Sequence, residues 1–259
     1  MNPEYFFKRH SNLIKGGKLF LFFDFDGTLV PIQKDPLSCQ LDKEIELYFK
    51  RIINKKLAPI AILSGRSLKD IKNRINIKGI LYGGNHGLEI SGPGIRFIHP
   101  EVDPIIKTIN KARDIISKNI SHIPGVFIED KKLSFTLHFR MADEKGKKTA
   151  KSIFNETISK EFYNMPFKVL KGKQVLELAP RVDWDKGKAA LYILRDYKND
   201  CIPLYIGDDI TDETAFSALG DKGITIKVGR SKKTNAHYYL KSQAEINIFI
   251  KKICAIIDK

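Results

Sequence analysis

The sequence has few cysteines and no long apolar segment, and both features exclude classes of protein. Only three cysteines occur among 259 residues. They lie far apart and form no Cys-x-x-Cys pair, which argues against a disulfide framework and a zinc site. No apolar run approaches the roughly 20 residues of a membrane-spanning helix. The short apolar stretch after the basic N-terminal region runs directly into Asp24, unlike a secretion signal. We therefore expect a reducing compartment, and the predicted location is cytoplasmic.

Acidic residues are scarce relative to basic ones. The chain has 45 lysines and arginines against 30 acidic residues, a formal net charge of +15 at pH 7. This balance suits nucleic acid, a membrane surface or a small anionic substrate. The lysines occur as scattered pairs, and no basic, aromatic motif of a known nucleic-acid-binding fold is visible. We interpret them as a solvated surface and expect neither nucleic acid nor membrane as a partner. A basic nucleic-acid-binding module is the remote alternative.

Apolar strands alternate with amphipathic helices through much of the chain. Leu19–Phe23 is apolar without alternation, which predicts a strand buried on both faces. Further strands are predicted at Ala58–Leu63, Gly79–Gly84, Ile202–Ile206 and Gly223–Val228. Helices are predicted near Asp42–Lys56, from Ser67, over Lys186–Tyr197, and at the C-terminus after a capping box of Ser242 and Glu245. Strands and helices in this order predict an α/β fold, with a Rossmann-like parallel-sheet core.

The middle of the chain has a different pattern. Leu133–Phe139 alternates strictly between apolar and polar residues, which predicts a half-exposed antiparallel strand. Helical patterns cover Asp103–Ile120 and Lys147–Phe162, and a hairpin is predicted around residues 171–173. We therefore predict an inserted α+β domain over residues 96–178, within a core domain formed by residues 1–95 and 179–259.

Three predicted strands end in polar, glycine-containing motifs. They are Asp24-Phe-Asp26-Gly-Thr28, Ser64-Gly65-Arg66 and Gly207-Asp208-Asp209. The carboxyl ends of parallel strands meet at one edge of a sheet, where ligands bind. Asp24 and Asp208 can supply the hard oxygen ligands that Mg²⁺ prefers.

The same residues suit phosphoryl transfer. Asp24 can attack phosphorus, and Asp26 can protonate the leaving alkoxide and later activate water. Lys186 can offset the negative charge of the site. The phosphoryl oxygens need hydrogen-bond donors, for which the candidates are Thr28, Ser64 and the backbone N–H of Gly65. Each residue alone also fits a turn, a helix cap or the surface, but their combination favours chemistry.

The order of these motifs resembles the haloacid dehalogenase superfamily of phosphatases. The matching segments are DFDGT, Ser64, Lys186 and GDDITD. The resemblance implies that Asp24 is the nucleophile and Asp26 the general acid and base. It also implies that Mg²⁺ is held by Asp24, the backbone carbonyl of Asp26, and Asp208. Asp209 and Asp212 would be further ligands or would support the ligands.

A narrower resemblance connects the chain to the trehalose-6-phosphate phosphatase family. The segments DFDGTLVPI, SGR, GNHGLEI, IEDKKLSFTLHFR, VLELAP, WDKG and GDDITDETAF carry it. It implies hydrolysis of trehalose 6-phosphate in trehalose biosynthesis, with the insertion as a cap and a separate trehalose-phosphate synthase supplying the substrate. The expected substrate-binding residues are Arg66, Glu129, Lys131, Arg140, Lys173 and Glu177.

Two features leave alternatives open. The family usually has arginine before the proline that follows the Glu177 motif, whereas this chain has Ala179-Pro180-Arg181. A related substrate such as sucrose phosphate or a glycosyl-phosphoglycerate is therefore an alternative. His86 either orients its loop or contacts the substrate.

Overall fold

The first apolar run of the sequence lies inside an eight-stranded sheet. The structure is a computed structural model that describes residues 3–16, 19–33, 38–172, 174–197 and 201–259. The strand order is β12-β11-β10-β1-β2-β3-β4-β5. Its strands are β1 (Leu19–Phe23), β2 (Ile60–Leu63), β3 (Leu81–Gly84), β4 (Glu89–Gly92), β5 (Ile95–Ile98), β10 (Ile202–Gly207), β11 (Ile224–Val228) and β12 (Tyr238–Leu240).

The sheet is parallel from β12 to β3, and β3 pairs antiparallel with β4. Its helices are α1 (Pro3–Lys15), α2 (Lys43–Asn54), α3 (Leu68–Ile75), α6 (Lys186–Tyr197), α7 (Asp212–Leu219) and α8 (Ile246–Ile257). Side chains alternate between the two faces of a strand. Leu21 and Phe23 accordingly pack in one core with α2 and α8, while Phe20 and Phe22 pack in a second core with α6 and α7. Burial on both faces, predicted for β1, is confirmed.

The chain divides into two units. One comprises Met1–Phe97 and Trp184–Lys259, and the other comprises Ile98–Asp183. The domain limits expected from the sequence lie a few residues earlier at both junctions. The second unit has a four-stranded sheet of order β6-β7-β9-β8. Its elements are α4 (Asp103–Ile120), β6 (Phe127–Asp130), β7 (Phe135–His138), α5 (Glu144–Glu161), β8 (Phe167–Gly172) and β9 (Val175–Pro180).

Two local predictions are wrong. The antiparallel strand β7 is buried on both faces, because Thr136 and His138 are buried, as are their apolar neighbours. The capping box does not form either. Ser242 makes no side-chain capping bond, and the Glu245 carboxylate accepts from the backbone N–H of Lys241. A 3₁₀ turn over Gln243–Glu245 begins the C-terminal segment, so the α-helix itself starts only at Ile246.

Among the residues described, no helix combines the length and the apolar character needed to cross a membrane.

Candidate active site

Asp24 is the residue on which the candidate site is centred. It follows β1 directly, and its backbone N–H donates to the carbonyl of Ile206 on the neighbouring strand. The side chain of Asp24 is buried, and its Oδ1 accepts a 2.7 Å hydrogen bond from Lys186 Nζ. The same ammonium donates to Asp212 Oδ1 at 2.8 Å. Lys186 begins α6 and is 2% exposed, so one buried cation links two buried carboxylates.

The loop after β10 is organised around Asp212. Its Oδ2 accepts from the backbone N–H groups of Asp208 and Asp209, at 3.0 and 2.9 Å. Its Oδ1 accepts from Tyr205 as well as from Lys186. Four donors therefore surround this carboxylate, which fixes the loop and the lysine together. Asp208 is held in turn by Thr28, whose hydroxyl donates to Asp208 Oδ1 at 3.2 Å.

Negative charge exceeds positive charge at this edge of the sheet. Among the described residues, Asp24, Asp208 and Asp212 each place one carboxylate oxygen within 4.8 Å of the others. Burial raises the pKa of Asp24 well above its ordinary value. Burial, with repulsion from Asp212, raises the pKa of Asp208 to about 6. Closely spaced carboxylates resist ionising together unless a cation is present. The donor set of hard oxygens therefore fits a divalent cation such as Mg²⁺.

Glycine at position 27 leaves the space that Asp208 occupies. Gly27 has φ +90°, and a Cβ there would lie 2.2 Å from Asp208 Oδ2. Positive φ is tolerated best by glycine. The DFDGT motif thus needs this glycine both for its backbone conformation and for the approach of the Asp208 loop.

Gly27→Ala is therefore expected to lower turnover by about 100-fold, because a misplacement of about 1 Å can have that cost. Steady-state turnover and Mg²⁺ affinity measure the effect. Gly94→Ala is the matched control, since Gly94 also has positive φ (+73°), but a Cβ added there would meet no atom within 4 Å. The control should lose about 1 kcal/mol of stability from backbone strain and keep its turnover. Equal losses of turnover in both variants would contradict the role of the Asp208 contact.

The Ser64-Gly65-Arg66 motif lies after β2, as predicted, and Arg66 faces Asp26. Arg66 Nε and Nη2 donate to the two carboxylate oxygens of Asp26, at 2.7 and 2.6 Å. Arg66 Nη1 donates to Asp70, and Ser64 Oγ accepts from the Arg66 backbone N–H. The carboxylate of Asp26 is thus paired with a guanidinium, apart from the cluster around Lys186.

The loop after β3 lies beside Gly65 through His86. A Cβ on Gly65 would lie 2.8 Å from His86 Cε1. Asn85, His86 and Gly87 all have positive φ, and Asn85 Nδ2 donates to Glu89 Oε1. Trp184 Nε1 donates to the carbonyl of Gly87. These backbone conformations and hydrogen bonds hold the GNHGLE segment in a tight turn. They are consistent with a loop-orienting role for His86.

In the second unit, Glu177 joins a group of buried polar residues. Its carboxylate accepts from Lys131 Nζ and Ser134 Oγ at 2.8 Å each, and from Thr136 Oγ1 at 3.3 Å. Strand pairing brings these side chains together, because Thr136 on β7 lies opposite Glu177 on β9.

Glu129 is close by on β6, opposite Thr136 in the strand register. Its carboxylate bonds His138 Nε2 at 2.8 Å. Arg140 is half-buried, and Lys173 lies outside the described residues.

The structure thus gathers some of the predicted residues and separates others. Asp24, Lys186, Asp208 and Asp212 meet in one cluster. Asp209 contributes its backbone N–H to that cluster, while its side chain lies outside the three-carboxylate group. Sequence reasoning missed Tyr205, Asp70, Ser134, Thr136 and His138. Only Ser134, Thr136 and His138, which alternate with apolar residues at the start of β7 and along it, carried a usable signal. Tyr205 and Asp70 lie in ordinary strand and helix sequence.

A parallel sheet whose strand β1 is followed by the DFDGT motif, with a buried lysine and an acidic loop beside it, is the arrangement of a phosphatase of the haloacid dehalogenase type. The family model described as trehalose-phosphatase matches residues 22–244, so the chain belongs to the trehalose-phosphatase family. Trehalose-phosphate phosphatase B of Arabidopsis thaliana is 33% identical, over 93% of this chain and 68% of that protein.

Two solved structures share the fold. A trehalose-6-phosphate phosphatase related protein has a TM-score of 0.77 and 25% identity, covering 92% of this chain and 97% of the other. The C-terminal domain of a C. albicans trehalose-6-phosphate phosphatase has a TM-score of 0.78 and 24% identity, covering 98% and 97%. The predicted α/β fold class is confirmed.

Proposed function

We propose that the protein hydrolyses trehalose 6-phosphate to trehalose and phosphate, through an aspartyl-phosphate on Asp24. The observation that carries the proposal is the position of Asp24, which is buried at a strand end, bonded to Lys186, and next to Asp208. The substrate is inferred from the named relatives and from the sequence motifs. The reaction would take place in the cytoplasm, with a separate synthase supplying trehalose 6-phosphate.

Mg²⁺ would be held by Asp24, Asp208 and the backbone carbonyl of Asp26, and it would supply positive charge to the transferring phosphoryl group. Asp212 would act on the site differently, because its two oxygens already accept four hydrogen bonds. It would hold Lys186 and the Asp208 loop in place. Asp209 would take part mainly through its backbone.

In the first step, an Asp24 carboxylate oxygen attacks phosphorus and the bond from phosphorus to the sugar oxygen breaks. The departing alkoxide takes a proton from Asp26, which is needed because an alkoxide is a poor leaving group. Lys186 stays protonated throughout, since its two carboxylate partners raise its pKa despite its burial. It therefore offsets charge without giving up a proton. Thr28, Ser64 and the N–H of Gly65 would bind the phosphoryl oxygens.

In the second step, water attacks phosphorus and the bond to Asp24 breaks. Asp26 accepts the proton of that water, which restores its protonated form for the next turnover. Asp24 returns as a carboxylate and inorganic phosphate leaves.

The second unit would select the sugar through Glu129, Lys131, Arg140, Lys173 and Glu177. Carboxylates and ammonium groups together offer the acceptors and donors that sugar hydroxyls need. Glu177 and Lys131 are already oriented toward each other in a buried pair, so a sugar would meet a preformed polar surface. This pre-organisation lowers the entropic cost of binding.

The proposal is tested by phosphate release from trehalose 6-phosphate, sucrose phosphate, glucose 6-phosphate and an aryl phosphate, with Mg²⁺ and with chelator. We expect a strong preference for trehalose 6-phosphate and no release with chelator. Preference for sucrose phosphate would replace the substrate and keep the chemistry, in line with the departure at Ala179. Release that persists in chelator would contradict the metal site.

Glu177→Gln tests the sugar-binding role separately. The amide is neutral and has one acceptor oxygen where the carboxylate has two, so it bonds Lys131 and a sugar hydroxyl more weakly. We therefore expect kcat/KM for trehalose 6-phosphate to fall at least about tenfold, which corresponds to roughly 1.4 kcal/mol. Aryl phosphate hydrolysis should stay within about twofold of wild type. Glu156→Gln on the exposed face of α5 is the control for the charge change. Equal losses on both substrates would argue against a sugar contact.

A further inference from the structure

The carboxylate of Asp26 is held by one guanidinium rather than by packing. Its side chain is 37% exposed, whereas that of Arg66 is 8% exposed. Both oxygens of Asp26 receive hydrogen bonds from Arg66. A two-point contact of this kind fixes the plane of the carboxylate as well as its position. The orientation of Asp26 therefore depends on where Arg66 is placed.

Arg66 is placed by a second carboxylate, in the first turn of α3. Asp70 Oδ2 accepts from Arg66 Nη1 at 2.9 Å and from Arg74 Nε at 2.8 Å. Arg74 also donates to the carbonyl of Cys39. Burial alone would raise the pKa of Asp70, but the hydrogen bonds from Arg74 and Arg66 lower it below the ordinary value. Asp70 is thus ionised at neutral pH and joins two arginines.

We propose that Asp70 is a positioning residue for phosphoryl transfer, which acts through Arg66 to orient the carboxylate of Asp26. The inference rests on the proposed function, because it assumes that Asp26 moves protons. It gives Arg66 an orienting role that differs from the direct substrate contact expected from the sequence.

Geometry supports a role beyond stability. Arginine has many rotamers, and Arg66 bonds Asp26 through Nε and Nη2. The bond from Nη1 to Asp70 fixes the opposite corner of the guanidinium. Without the charge of Asp70, Arg66 would keep Asp26 and the ring of Phe25 as partners but lose the charged anchor on Nη1. Proton transfer requires close alignment of donor and acceptor. A rotated guanidinium would turn the carboxylate of Asp26 away from the leaving oxygen of the sugar.

The test is the rate of the first step in Asp70→Asn, measured under single turnover with enzyme in excess. Release of trehalose from trehalose 6-phosphate needs a proton for its alkoxide, whereas release of an aryl alcohol with a low pKa does not. We expect the trehalose step to slow by about 10- to 100-fold, and the aryl step to stay within about twofold. KM for both substrates should change little.

Two further variants keep the result interpretable. In an Asp26→Asn background, Asp70→Asn should add no further loss, since residues that act as a unit are not additive. Asp258→Asn is the matched control, because Asp258 also bonds two cations, Arg51 and Lys55, but lies on the C-terminal segment. It should leave both rates unchanged. Arg74→Gln, one step further from Asp26, gives a second measurement if Asp70→Asn fails to fold, with a smaller loss in the same direction.

Equal slowing of both substrates, or a full additional loss in the Asp26→Asn background, would overturn the positioning role. Wild-type rates in Asp70→Asn and in Arg74→Gln would do the same. A wild-type enzyme that releases phosphate from neither substrate would instead refute the proposed function, so the two failures are distinguishable.

Discussion

Asp24→Asn is expected to reduce phosphate release by about 10⁴-fold or more, the scale on which removal of an enzymatic nucleophile acts. An amide is a poor nucleophile and cannot form the acyl phosphate. The change preserves the shape of the side chain, and the amide oxygen can still accept from Lys186. The fold should therefore persist, with loss of turnover on every substrate, including the aryl phosphate. Steady-state phosphate release at saturating Mg²⁺ measures the effect.

The breadth of the loss separates a nucleophile from a binding residue. Glu177→Gln should affect the sugar phosphate alone, whereas Asp24→Asn should affect all substrates alike. Thermal unfolding of both variants checks that the fold is retained. Turnover by Asp24→Asn above about one hundredth of the wild-type rate would be incompatible with covalent catalysis at this residue.

Lys186→Met is expected to lower the free energy of unfolding by about 3–5 kcal/mol, because it leaves buried carboxylates without their cation. Lys186 is the shared partner of Asp24 and Asp212. Its pKa is raised by these carboxylates, so its contribution is present at every pH below the ordinary lysine value and is lost only in strong alkali. Denaturant unfolding at neutral pH without Mg²⁺ measures the loss.

The destabilisation of Lys186→Met should depend on pH with a defined sign. The pKa of Asp24 is already raised by burial, and loss of the lysine raises it further. The folded variant then binds protons more readily than the unfolded chain, so its deficit is largest at neutral pH and shrinks as the pH falls.

Two further variants serve as a rescue and a control for the destabilisation expected of Lys186→Met. Asp212→Asn added to Lys186→Met should recover part of the stability, since it removes one repelling charge and retains an oxygen for the backbone donors. Lys50→Met, which breaks only an exposed pair with Glu46, should cost no more than about 1 kcal/mol. A deficit in Lys186→Met no larger than in Lys50→Met would show that the buried triad contributes little.

The sequence predicted five of the eight strands of the main sheet, β1, β2, β3, β10 and β11, because apolar residues dominate each of them. It did not predict β4, β5 or β12, which are short and, in β4 and β5, carry charged residues. An apolar run such as Leu19–Phe23 is best explained as a strand buried on both faces. The polar residues directly after it then lie at the carboxyl ends of the parallel strands. The same reasoning anticipated the meeting of Asp24 and Asp208, whereas Lys186 was predicted from the need for a cation beside the carboxylates. Helix α4 was also predicted over its full length, since its apolar residues recur at helical spacing.

Other features depended on tertiary contacts that no local pattern encodes. Strand β7 alternates like a half-exposed strand, yet its polar residues are buried, with Thr136 bonded to Glu177 on β9 and His138 bonded to Glu129 on β6. In the sequence, Tyr205 is an ordinary strand residue, and only the structure shows that its hydroxyl donates to Asp212 Oδ1. Asp70 looks like a first-turn helix residue, which is favourable in any helix, and its bond to Arg66 is visible only in three dimensions.

The central claim is that Asp24 takes the phosphoryl group of trehalose 6-phosphate. The most direct test is acid quenching of the enzyme during turnover of trehalose 6-phosphate with Mg²⁺, followed by mass spectrometry of its peptides. We predict one added phosphoryl group on the peptide that carries Asp24, formed no more slowly than trehalose is released. With an aryl phosphate, whose leaving group needs no proton, its amount should increase in Asp26→Asn, which slows attack by water. Trehalose release without any phosphorylated Asp24, in either protein, would contradict the account.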